Sequence, residues 1–202
     1  VAIIRAVKIA VRVPSYGYPK FHWVGSLVAA VQHAEKAGHE VDYNGLKNTA
    51  LAWARQAMAE DALRSGAEAL IFCDDDHVFP ADAFTRLIGH DVEIVAANYP
   101  NRRAPSIEPT AYRLADGKPE AVMTTSGKAA AGLLEPVQGI GLGLCRIRTK
   151  VLERVPRPWF GGDREDVWFC RQLAAAGVPI HIDHALSLEV GHIDEGPRFF
   201  PR

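Results

Sequence analysis

The sequence predicts an α/β fold with a doubly wound, mostly parallel central sheet and helices on both faces. Three observations predict it. Leu70-Ile71-Phe72-Cys73 is apolar at both parities and runs directly into Asp74-Asp75-Asp76, as a strand buried on both faces does when its carboxyl end opens onto a polar edge. Strand-like and helix-like segments alternate through residues 1–100, the rhythm of parallel β-α-β units. The chain has 202 residues, 48% of them hydrophobic, enough for one sizeable core and no second domain of independent size.

Val7 to Val13 reads as the first strand, stopped by Pro14-Ser15-Tyr16-Gly17-Tyr18-Pro19. Phe21, Val24, Val28 and Val31 fall at helical spacing, and Gly38 ends that helix. His39 to Tyr43 is a short strand. Asn48 or Thr49 caps a second helix that runs to Ser65 and stops at Gly66. The acidic strand follows, then a third helix marked by Phe84, Leu87 and Ile88, and a strand over Val92 to Ala97. Prolines and glycines punctuate Asn98 to Leu134, so short strands at Thr110 to Leu114 and Ala121 to Thr124 are expected within a mobile segment, 101–131. Leu142 to Arg148 is again strand-like, Lys150 to Arg154 a short helix, and Asp163 to Ala176 an amphipathic helix with Val167, Cys170, Leu173 and Ala174 inward. Two strands close the chain, Ile180 to Asp183 and Leu186 to His192.

Composition narrows the function. A net charge of -1 gives no electrostatic case for nucleic acid or an anionic membrane. No apolar run reaches the roughly 20 residues that span a bilayer. The apolar N-terminus is broken by Arg5 and Lys8 and lacks the layout of a signal peptide. Cys73, Cys145 and Cys170 lie far apart in apolar segments, as reduced core residues do, so a cytoplasmic, reducing compartment is expected.

Three places carry candidate chemistry. Asp74, Asp75 and Asp76 repel one another at a strand end, where ligands of open α/β sheets bind, and a divalent cation is the simplest compensation. Extended backbone puts Asp74 and Asp76 on one face; a solvated acidic turn is the plainer alternative. Gly161-Gly162-Asp163-Arg164-Glu165-Asp166 is the second place. There Asp163 at the helix cap and Asp166 three residues on suit ordinary capping, while the glycine pair suits close approach to a ligand. The third is His192, which shares parity with Leu186, Leu188 and Val190 and so faces the buried side, as a core histidine or as a ligand; His77, His181 and His184 are also available, and spacing by itself does not choose among them. Arg55 lies on the apolar stripe of Leu51, Met58 and Ala62, where it either snorkels to the rim or meets an anion near the carboxyl edge.

Taken in order, these segments resemble GT-A-fold, family-2-type glycosyltransferases. Leu70 to Phe84 is similar to their acidic DxD segment, and Val137 to Arg148 with Val151-Leu152 and Pro158-Trp159-Phe160 to their glycine-containing strand, helix and turn. Glu165-Asp166 resembles their acidic helix start, and Val190-Gly191-His192 their terminal histidine. Residues 102–131 carry no matching motif.

The resemblance implies a single Rossmann-like, nucleotide-diphospho-sugar transferase domain over 1–202, with a donor half at 1–100 and an acceptor half at 101–202. It implies a metal-dependent enzyme that moves a sugar from a UDP- or GDP-sugar to an acceptor hydroxyl, with a glycan as one candidate acceptor. Asp74 and Asp76 hold Mn²⁺ or Mg²⁺ and the ribose in that reading, Asp75 assists, and His192 completes the metal shell. Pro14, Ser15 and Tyr16 border the nucleotide base, Arg55 meets the anion, and Asp166 is the general base in inverting members. A sugar-phosphate nucleotidyltransferase is an alternative, although the loop after strand one lacks the Gly-rich basic character such enzymes use. A non-catalytic nucleotide- or carbohydrate-binding module is another.

Overall fold

The computed structural model describes residues 5–101, 107–194 and 197–201. The first half contains β1 (Lys8–Ser15), α1 (Phe21–Lys36), β2 (Glu40–Lys47), α2 (Leu51–Arg64), β3 (Ala69–Cys73), β4 (His77–Val78), α3 (Ala83–Gly89) and β5 (Ile94–Ala96). Beyond it lie β6 (Tyr112–Ala115), β7 (Lys118–Ala121), α4 (Ser126–Ala130), β8 (Leu134–Val137) and β9 (Leu144–Arg148). A 3-10 turn (Thr149–Val151), α5 (Glu165–Ala175), β10 (Ile180–Asp183), α6 (His184–Ser187), β11 (Gly191–Ile193) and β12 (Pro197–Arg198) complete the chain.

The central sheet has seven strands in the order β2-β1-β3-β9-β5-β10-β8. The β2-β1-β3 pairs and the β5-β10 pair are parallel, while β9 and β8 run the other way. Strand parity divides the core. Ala10, Leu70 and Phe72 pack with Met58, Phe169 and Leu173 under α2 and α5. Ile9, Val11 and Ile71 pack with Trp23, Leu27, Phe84 and Leu186 under α1, α3 and α6. The two apolar layers are why β3 is fully buried and reads as a continuous apolar run. Arg146, buried on β9, donates to the carbonyls of Leu87, His90, Val92 and Glu93, and so ties the α3–β5 connection to the sheet. No helix among the described residues is long and apolar enough to cross a membrane.

Several elements depart from expectation. Helix α2 begins at Leu51, and Ala50 before it makes no side-chain cap. Asn48 instead takes the left-handed region at φ 58, and its N–H donates to the Ser15 carbonyl, which closes the end of β2 onto β1. Leu186 to Val190 is not a strand. Asp183 accepts the Leu186 N–H and starts the short helix α6, so only Gly191–Ile193 is extended. Strand β8 carries Pro136, which the sheet tolerates because β8 lies at its edge. Within 101–131 the chain forms the β6–β7 hairpin and α4, while residues 102–106 lie outside the described residues. The three cysteines are free and buried, and burial pushes the thiols of Cys145 and Cys170 up to about 12, which leaves them unreactive.

Candidate functional site

Strand β3 ends at Cys73, so Asp74, Asp75 and Asp76 form a turn and not an extended run. The expected shared face for Asp74 and Asp76 is therefore lost. Mutual repulsion is relieved by sending each carboxylate to a different partner. Asp74 accepts hydrogen bonds from Arg55 Nη2 on both oxygens, at 2.9 and 3.0 Å. Asp75 accepts from the Ser15 hydroxyl at 2.5 Å. Asp76 faces His192 Nε2 at 3.3 Å and His77 Nδ1 at 3.0 Å.

Arg55 does not snorkel. It is buried on α2, where Nε donates to Glu165 at the start of α5 at 3.2 Å and the guanidinium lies over the Phe72 ring. Burial works against its charge, but Asp74 and Glu165 outweigh burial and raise its pKa. The buried Arg55–Asp74–Glu165 triad thus joins α2, the end of β3 and α5. Burial, together with the neighbouring acids, raises the Asp75 pKa and so disfavours its charge.

Asp76, His77 and His192 form a group able to hold a metal ion, with one ligand atom from each lying within 4.8 Å of the others. Antiparallel pairing of β4 with β11 sets His77 opposite His192, and the two rings stack with centroids 4.5 Å apart. Burial alone would raise the Asp76 pKa, yet its contacts with His192 and His77 overcome burial and hold it well below the carboxylate range.

Two features suit a cation here. His192 Nδ1 lies 3.0 Å from the Pro100 carbonyl, which can only accept, so Nδ1 carries the proton. Nε2 faces the Asp76 carboxylate, so either a proton or a metal ion between them joins two groups that would otherwise oppose lone pairs. His77 is buried, and neither ring nitrogen has a well-directed hydrogen bond despite the short approach to Asp76. Orphaned imidazole nitrogens beside a carboxylate fit Mn²⁺, and less closely Mg²⁺.

Gly143 allows this packing. Its N–H donates to the Tyr99 hydroxyl, and its carbonyl accepts the Asp74 N–H at 2.8 Å. A Cβ at Gly143 would run into the His77 ring and come within 2.7 Å of the Tyr99 oxygen.

Beside the cluster, a mostly apolar cleft of about 700 Å³ opens between the carboxyl ends of β1 and β2 and helix α1. Ser15, Lys47 and Asp75 stand at its polar end, with Trp23, Leu27 and Tyr43 along it. Of the residues expected around the base, Ser15 lines the cleft, Pro14 is buried within β1 and Tyr16 is exposed.

The α5 start also differs from expectation. Arg164 precedes the helix without a side-chain cap, so Asp163 does not cap it and Asp166 is the second helical residue. Half-buried Asp166 accepts the Val167 N–H at 2.7 Å.

The sequence matches no family model and no curated protein. Solved structures do match. A197 from STIV superposes with a TM-score of 0.62 at 20% identity, over 93% of this chain and 87% of that one. A mutant of Drosophila β-1,4-galactosyltransferase 7, in complex with manganese, UDP-Gal and xylobiose, superposes with a TM-score of 0.56 at 12% identity, over 94% of this chain and 71% of that one. The chain has a GT-A-like fold. This fold puts the acid turn after β3 at the carboxyl edge of a mostly parallel sheet, where open α/β sheets bind ligands.

Sequence reasoning did not single out His77, Tyr99 or the pairing of Glu165 with Arg55. His77 directly follows the three aspartates, and its place in the chain was the one available signal. The antiparallel register that brings it to His192 is not written in local periodicity.

Proposed function

We propose that this chain is a metal-dependent glycosyltransferase that uses a nucleotide-sugar donor. The observation that carries the reading is the Asp76–His77–His192 group, in which the buried His77 has no well-directed hydrogen bond at either ring nitrogen, at the carboxyl edge of a GT-A-like sheet. The manganese and UDP-Gal of the galactosyltransferase neighbour support the same chemistry.

Asp76, His77 and His192 would hold the ion, Mn²⁺ or Mg²⁺. When bound, it supplies charge neutralisation to a departing diphosphate. The nucleoside of a UDP- or GDP-sugar occupies the adjoining cleft, with Ser15 and Asp75 at its polar end, while the exposed Tyr16 does not line it. Of the β1 residues, Val13 and Ser15 line the cleft and Pro14 does not. Asp74, held rigid by Arg55, faces the donor ribose, and Arg55 balances its charge without touching solvent.

Asp166 accepts the proton of the acceptor hydroxyl. The acceptor oxygen bonds to the anomeric carbon, the bond from that carbon to the diphosphate breaks, and its electron pair leaves with the nucleoside diphosphate. A glycan acceptor suits the open surface beside Asp166.

Calorimetric titration with UDP and GDP tests the reading. Binding with Mn²⁺ that weakens at least about tenfold, or 1.4 kcal/mol, in EDTA is the expected result. Equal affinity with and without metal would remove the ion from the site.

A further inference from the structure

Arg164, Val167 and Arg171 form a ridge along α5, spaced to share one helix face. A cleft of about 570 Å³ separates this ridge from the β6–β7 hairpin, and another of about 280 Å³ separates it from Gly161 and Gly162. No carboxylate lines the larger cleft, and Asp163 lines the smaller. Among the described residues neither arginine side chain has a hydrogen-bond or ion-pair partner. Other arginines at the surface, such as Arg86, Arg148 and Arg154, are each held by a carboxylate. Two neighbouring unpaired guanidiniums repel each other, which an arriving anion would relieve.

The ridge also carries a platform for a sugar ring. Trp168 is 40% exposed in the smaller cleft, with its indole against Gly161, where a Cβ would come within 3.2 Å of the ring. Such a surface takes the apolar face of a saccharide.

The place is right for an acceptor. Asp166 stands between the two arginines in sequence, and Asp166, Arg164 and Arg171 all act electrostatically on Tyr112. The Tyr112 ring presses on Gly139, the Tyr99 hydroxyl on Gly141, and His77 on Gly143. The chain from Gly139 to Gly143 therefore leads from the groove to the metal-binding group, over at most about 14 Å.

We propose that this groove is the acceptor subsite and that it selects a saccharide carrying an anionic group, a carboxylate or a phosphate, which Arg164 and Arg171 bind while Trp168 supports the ring. The proposal rests on the glycosyltransferase reading above.

Calorimetry on the full chain with three matched probes tests it: p-nitrophenyl β-glucoside, the corresponding β-glucuronide, and the glucoside phosphorylated at its primary hydroxyl. UDP with Mn²⁺ is titrated in parallel. An anionic probe should bind about 10–100-fold tighter than the neutral one, as charge-assisted hydrogen bonds require. The double variant R164Q/R171Q should erase that preference and keep the circular dichroism of the parent. Preference for the glucuronide alone assigns a carboxylate, and preference for the phosphorylated probe alone a phosphate. Equal binding of all three probes, with UDP and Mn²⁺ still bound, overturns the anionic acceptor and leaves the transferase reading intact. If UDP with Mn²⁺ fails to bind while the arginine-dependent preference holds, the transferase reading and the acceptor role fall together.

Discussion

Arg55 holds both oxygens of Asp74 through a single nitrogen, Nη2, while its Nε reaches Glu165. One buried cation thus serves two acids from distant parts of the chain. Removing it leaves two carboxylates uncompensated at the edge of the core. Arg55→Met is expected to cost about 3–5 kcal/mol, read from urea unfolding. Adding Asp74→Asn should recover part of the loss, because it removes one of the stranded charges. A cost below about 1 kcal/mol, the range of exposed pairs, would mean that solvent already screens the triad.

Gly143 is the second point of sensitivity. Gly143→Ala puts a methyl group into the His77 ring and the Tyr99 hydroxyl. Overpacking of this kind costs about 1–3 kcal/mol. The displaced ring should also weaken Mn²⁺-dependent UDP binding by more than the stability loss accounts for. Calorimetry that finds metal-dependent binding unchanged in a destabilised G143A would separate His77 from the metal.

Asp166→Asn tests the chemistry apart from the binding. With donor and Mn²⁺ affinity unchanged, single-turnover transfer should fall by about 10²–10⁴-fold, the usual range for loss of a general base. Near-parental turnover would reduce Asp166 to a helix-start residue.

Asp183 gives a pH signature outside the site. Burial would raise its pKa, but the contact with His90 at 2.9 Å and the Leu186 N–H outweigh burial and lower it. A carboxylate lowered by folding contributes stability that is full above its unfolded value of about 3.9. That contribution is lost as pH falls through the folded value. Melting temperatures between pH 6 and pH 3 should therefore drop less steeply in Asp183→Asn than in the parent. Parallel curves would place the acid sensitivity elsewhere.

The first half of the fold was legible because each of its elements carries its own signal. The spacing of Phe21, Val24, Val28 and Val31 located α1, though Phe21 is exposed and the buried positions are Trp23, Leu27, Ala30 and Ala34. Leu70 to Cys73 was read as a doubly buried strand because two apolar layers enclose it. Signals failed where tertiary contacts decide. The alternation of Leu186, Leu188 and Val190 imitates a strand, yet Asp183 caps a helical turn over it. Asp74 looked equivalent to Asp76, and only the position of Arg55 separates them. The histidine pair depends on the register of β4 against β11, which no window of local sequence contains.

The contact between Asp76 and His192 joins positions 116 residues apart. Closing a flexible loop of that size costs about 4 kcal/mol of chain entropy. Strand β11, three residues long and outside the central sheet, is otherwise held by its pairing with β4 and β12 and by Val190 and Ile193 in the core. The candidate metal group is therefore also a clasp. An ion seated there would slow the detachment of the carboxy-terminal segment, and occupancy would govern the lifetime of the folded state as well as its chemistry.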